Sequence, residues 1–108
     1  MLTPSALADA LREAVLAAQN AQEVRAYHRK RTARSDTQRN EDLRLALARV
    51  KAAMKPLRSE IGRFPKYHPT PDNDERKLRI RTASLLLQKE RRKLWKMILR
   101  TPPEEGLS

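Results

Sequence analysis

Leu43, Leu47, Val50, Met54, Leu57 and Ile61 recur at intervals of 4, 3, 4, 3 and 4 residues. With about 3.6 residues per turn, that spacing draws a single apolar stripe along a helix. A strand, whose side chains alternate with a period of about 2, does not produce it. A helix with such a seam is stable only when the seam is covered. The rest of the chain must therefore supply a covering surface, and its composition says of what kind. Four aromatic residues (Tyr27, Phe64, Tyr67 and Trp95) and two glycines are present among 108 residues. A core has to be built from Leu, Ile, Val, Met and Ala, which favours packed helices over a sheet. The fold expected is all-α.

Around the seam, Ser35 with Gln38, or Thr37, can cap the start of this second helix, and Gly62 fits its end. Pro56 lies inside and should kink the helix or start a fresh turn. Ahead of it, Thr3-Pro4-Ser5 opens a first helix whose stripe is Leu7, Leu11, Ala14, Ala18 and Ala21, flanked by Val15 and Val24. Small residues there allow a close neighbour. The two stripes are out of register, so an antiparallel hairpin turning near residues 33 to 37 is expected. Because no Pro or Gly interrupts residues 5 to 55, one continuous helix is the alternative. Residues 63 to 70 hold Pro65 and Pro69 beside Phe64 and Tyr67, and read as a stiff extended connector whose aromatics pack onto the helices. A third helix follows Thr70-Pro71, with Asp72, Asp74 and Glu75 suiting the positive end of its dipole. Its core stripe is Ile80, Ala83, Leu86, Leu87, Leu94, Met97 and Ile98. The architecture expected is one domain over residues 1–100, a three-helix bundle with helices at about 4–33, 36–61 and 71–100. The third long helix packs across the antiparallel helical hairpin, and 101–108 form a flexible tail.

Charge is the second constraint. Twenty-four Lys and Arg against thirteen acids leave +11, and Arg outnumbers Lys. That bias suits phosphate recognition by guanidinium forks, and equally a GC-rich bacterial or phage genome. Two segments hold the excess. Residues 76–100 carry ten cations and one acid, and residues 25–39 carry six and one. On a helical wheel Arg81, Lys89, Arg92, Lys93, Lys96 and Arg100 lie opposite the core stripe of the third helix, with Lys77 and Trp95 on one flank. Lys89/Lys93, Arg92/Lys96 and Lys96/Arg100 are like-charge pairs at i,i+4, each costing about 0.2–0.5 kcal/mol in an isolated helix. Solvated faces ordinarily alternate signs. A polyanion would relieve this repulsion and release its own counterions, and Trp95 could stack on a base. Arg25, Arg29, Lys30, Arg31, Arg34 and Arg39 spread around their helix end and offer a second set of contacts, with His28 in similarly polar surroundings. Leu78, Leu85 and Leu99 lie on or near the basic side of the third helix and suggest a further chain, most simply a homodimer.

The chain has no cysteine, hence no disulfide framework or thiol chemistry. It has no stretch approaching a membrane span of about 20 apolar residues, no glycine-rich phosphate loop, and no carboxylate pair facing a cleft. Capping accounts for the acids of DNDE without a metal. Neither catalysis nor a cofactor is expected, and the cytoplasm is the default location. The function expected is nucleic-acid binding along the phosphate backbone, DNA slightly ahead of RNA. The alternative is a protein–protein assembly subunit whose basic helix face docks an acidic partner.

Overall fold

The structure, a computed structural model, describes residues 2–30 and 36–100, together with every side chain in that range except those of Lys30 and Asp36. Three helices, α1 (Pro4–Lys30), α2 (Asp36–Ile61) and α3 (Pro71–Arg100), are joined between α2 and α3 by a short 3-10 turn at Phe64–Lys66. Each helix packs on both others. The expected turn between α1 and α2, Arg31, Arg34, the Ser35 cap and the 101–108 tail lie outside the described residues.

Side-chain pairs fix the topology. The Leu2 amide donates to Glu60, Arg49 to Glu13, and His28 meets Asp42. α1 and α2 are thus an antiparallel hairpin, and the single continuous helix is excluded. Gln22 and Arg25 reach Glu90, while Pro4 and Leu7 border the same groove as Asp72 and Glu75. α3 therefore runs parallel to α1 and antiparallel to α2. The bundle measures 59 × 21 × 17 Å, so the third helix lies nearly along the other two.

The seam of α2 is the centre of the core. Leu43, Leu47, Val50, Met54 and Leu57 are buried, with Ile61 half-buried at the end. Each fully buried aliphatic contributes about 1.5–3 kcal/mol relative to exposure. Opposite them, Ala14, Ala17, Ala18 and Ala21 are buried on α1, so its backbone approaches closely. α3 contributes Ile80, Leu87, Leu94 and Ile98. Its core stripe also contains Ser84 and Glu90, which an apolar reading of the wheel leaves out.

Two local expectations are corrected and one is narrowed. Of the two readings of Pro56, a kink or a fresh turn, the fresh element is excluded: α2 continues through it to Ile61. The helix does not end on a left-handed glycine, because Gly62 has no positive φ. Instead the Gly62 amide bonds the Arg58 carbonyl and the Arg63 amide that of Glu60, tightening the last turn. The connector is not extended throughout, since it begins as the 3-10 turn and opens into extended backbone only at Tyr67 (φ −75°, ψ 135°). Phe64 and Tyr67 are buried, with ring centroids 5.3 Å apart and edge to face. Thr3 and Thr70 cap α1 and α3, their hydroxyls accepting the amides of Ala6 and Asn73.

Candidate functional site

The only acid between residues 76 and 100 is Glu90, and it is inside the bundle. Its Oε1 accepts from Arg25 Nη2 at 2.6 Å and Nε at 3.1 Å, and its Oε2 from Gln22 at 3.3 Å. Both members of the ion pair are buried, Arg25 being 7% exposed. Arg25 therefore does not project with the cluster that runs from it to Arg39. A buried carboxylate must be paired, and the nearest helix supplies the pair. The consequence for the surface is direct: from residue 76 onward the outward face of α3 keeps its cations, and the one acid of that stretch is held internally.

His28, also expected in polar surroundings, is buried with Nε2 2.9 Å from Asp42 Oδ2. Arg39 is half-buried, and its Nε has no hydrogen-bond partner. Arg29 is exposed; the Lys30 side chain, Arg31 and Arg34 lie outside the described residues. On α3, Arg81, Lys89, Arg92, Lys93, Lys96 and Arg100 are all exposed. Arg81 is set apart from the others: its guanidinium lies over the Phe64 ring, 5.0 Å from the centroid, and Lys77 sits over Phe64 and Tyr67. The remaining five occupy the distal half of the helix.

Two grooves flank that half. The one between α1 and α3 encloses about 570 Å³ and is lined by Arg29, Lys93, Lys96 and Arg100 around the Arg25–Glu90 pair. Between α2 and α3 two contiguous hollows, each of about 330 Å³, share Lys51 and Arg91. Leu47, Arg92 and Trp95 line one, and Met54, Lys55 and Arg58 the other. This second groove holds no carboxylate in its lining. Among the described residues, Lys51, Lys55, Arg58, Arg91 and Arg92 take part in no ion pair. Trp95 stands at its end, 46% exposed.

Lys51, Lys55, Arg58 and Arg91 were not among the candidates read from sequence. Their signal was available: 51, 55 and 58 are spaced 4 and 3, one helix face beside the seam. Segment totals conceal it, because α2 and its surroundings are nearly neutral overall. The six cations of α2 are partly offset in number by its four acids, which the fold places away from this face. One is Glu60, a buried acceptor for the Tyr67 hydroxyl at 2.6 Å and the Leu2 amide at 3.2 Å.

Chemically, this arrangement is an anion-attracting surface with an aromatic at one margin. Among the described residues no group of three or more His, Asp or Glu converges as a metal site, and no helix is long and apolar enough to cross a membrane. No family model, curated protein or solved structure matches the chain.

Proposed function

We propose that the protein binds nucleic acid through its phosphate backbone, DNA ahead of RNA, with the distal half of α3 as the contact surface. The observation that carries this reading is that, among the described residues, no exposed acid lies on that surface. Glu90 is sequestered by Arg25, and Lys89, Arg92, Lys93, Lys96 and Arg100 face solvent together. Cations on both flanking walls, from Lys51 to Arg58 on α2 and Arg29 on α1, extend the field around the helix. Counterion release from the polyanion is the driving term, and phosphate contacts of this kind position without reading sequence. Localisation in the cytoplasm and a non-catalytic role accompany the proposal.

The test is fluorescence anisotropy of labelled duplex DNA, duplex RNA and single strands across a salt series. Binding should weaken log-linearly, with a slope of about −0.9 per phosphate neutralised on duplex DNA. Reversing Arg92, Lys93 and Lys96 to Glu should lower that slope by about 3 and abolish binding near physiological salt. Loss of binding with an unchanged slope, or no binding at all, rejects the reading.

A second reading is favoured by one observation of its own. Leu78, Leu85 and Leu99, at multiples of seven residues, are each 63–66% exposed on α3. An acidic partner helix carrying apolar residues would cover them and pair with the adjoining cations. Such a complex should persist at salt concentrations that dissociate a phosphate contact. The apolar seam of α2, by contrast, is consumed within the bundle and offers nothing to a second chain.

A further inference from the structure

The two aromatic environments at the surface of α3 differ in a way that distinguishes kinds of nucleic acid. At the connector end, Phe64 and Tyr67 pack on each other and are covered by Lys77 and Arg81. Their ring faces are occupied by the protein itself. Trp95 is half-exposed, and among the described residues its indole has no ring or cation partner. It borders a concave hollow of about 330 Å³ whose floor is Leu47 and whose other walls are Lys51, Arg91 and Arg92. Bases in an intact duplex present only their edges, so an indole beside a groove cannot stack on them. A base free of its partner has a face to offer, and stacking of that kind tolerates any sequence.

The cations continue in one direction from this hollow. Lys51, Lys55 and Arg58 are carried along α2, and the distance from 51 to 58 is about 10 Å at 1.5 Å per residue. At about 3.4 Å per stacked nucleotide, that is room for about three. Resting on the nucleic-acid reading above, we infer that the α2–α3 groove is a single-strand site. One unpaired base stacks on Trp95 over Leu47, Lys51, Arg91 and Arg92 hold its flanking phosphates, and the strand runs on over Lys55 and Arg58. The outer ridge of α3, with Lys89, Lys93, Lys96 and Arg100, remains available to duplex backbone.

Trp95 is the only tryptophan in the chain, so its fluorescence reports this site alone. The full chain is titrated with single-stranded oligothymidylate and, separately, with a duplex of the same length, reading tryptophan emission alongside anisotropy of the labelled oligonucleotide. The single strand should quench Trp95 saturably at the concentrations where anisotropy rises, while the duplex binds without comparable quenching. Trp95→Ala should weaken single-strand binding about 5- to 150-fold, the range expected for one lost stack, and change duplex binding less than about twofold. Trp95→Phe, which keeps a ring, should recover part of the loss, and circular dichroism of both variants checks that the helices are retained. Lys51→Glu leaves the fluorophore in place and should move the quenching curve to higher concentration. Duplex binding without single-strand quenching, or equal losses for both ligands in Trp95→Ala, overturns the inference and leaves the phosphate-contact reading standing. Failure of every nucleic acid to bind overturns both.

Discussion

At the scale of single residues, the fold depends on a few polar pairs placed where aliphatics would have been unremarkable. Arg25 and Glu90 are held together within the bundle, and removing one partner leaves a buried charge uncompensated. Arg25→Met or Glu90→Leu alone should cost about 3–5 kcal/mol in denaturant unfolding, and the double variant should recover most of it. Tyr67 is a different case. Burial first, then its hydrogen bond to Glu60, push the phenol up to about 12 from 10.0, with Arg76 acting in the opposite sense. Folding therefore favours the protonated phenol. The associated stability is fully present below pH 10 and is lost as the pH rises from 10 towards 12. Tyr67→Phe should remove that alkaline loss from a pH series of unfolding midpoints. At neutral pH the same variant should cost about 1–3 kcal/mol, because it takes the hydroxyl donor away from the buried Glu60 carboxylate.

At the scale of elements, α2 carries a flaw that its packing overrides. Pro56 donates no amide to the Ala52 carbonyl one turn back, yet the helix runs on to Ile61 because Leu57 and its neighbours are buried on the far side of the proline. Pro56→Ala should stabilise the protein by about 1–3 kcal/mol, read as a raised unfolding midpoint. The seam around this proline was legible from sequence because its residues are aliphatic and strictly spaced, and the all-α class followed from it. The interior of α3 was less legible. Leu86, Glu90 and Leu94 are four apart, so Glu90 lies in an apolar ladder by position. Which cation meets it depends on how α1 is docked, and that is a tertiary fact. The same reason put Arg25 among surface candidates and left Lys51, Lys55 and Arg58 out. Helical wheels sort residues within one helix, whereas these assignments depend on which faces of two helices adjoin. Trp95, at the rim of the α2–α3 groove, was legible as a flank residue.

At the scale of the whole molecule, the +11 over 108 residues is concentrated in two segments, and among the described residues Lys89, Arg92, Lys93, Lys96 and Arg100 take part in no ion pair. The three like-charge pairs of α3 together cost about 1 kcal/mol, and screening them should raise the melting temperature by up to about 4–8 °C. Thermal melts in rising NaCl check this, and a polyanion that binds the folded state should raise the midpoint further at equal ionic strength. The long axis adds a feature that a net charge does not express. Along the 59 Å of the bundle, α3 begins with Asp72, Asp74 and Glu75 and ends among Lys93, Lys96 and Arg100. α3 is thus a rod with an electric moment directed along its length. In a field such a rod rotates before it drifts, so it should meet a negatively charged wall with its cationic tip leading.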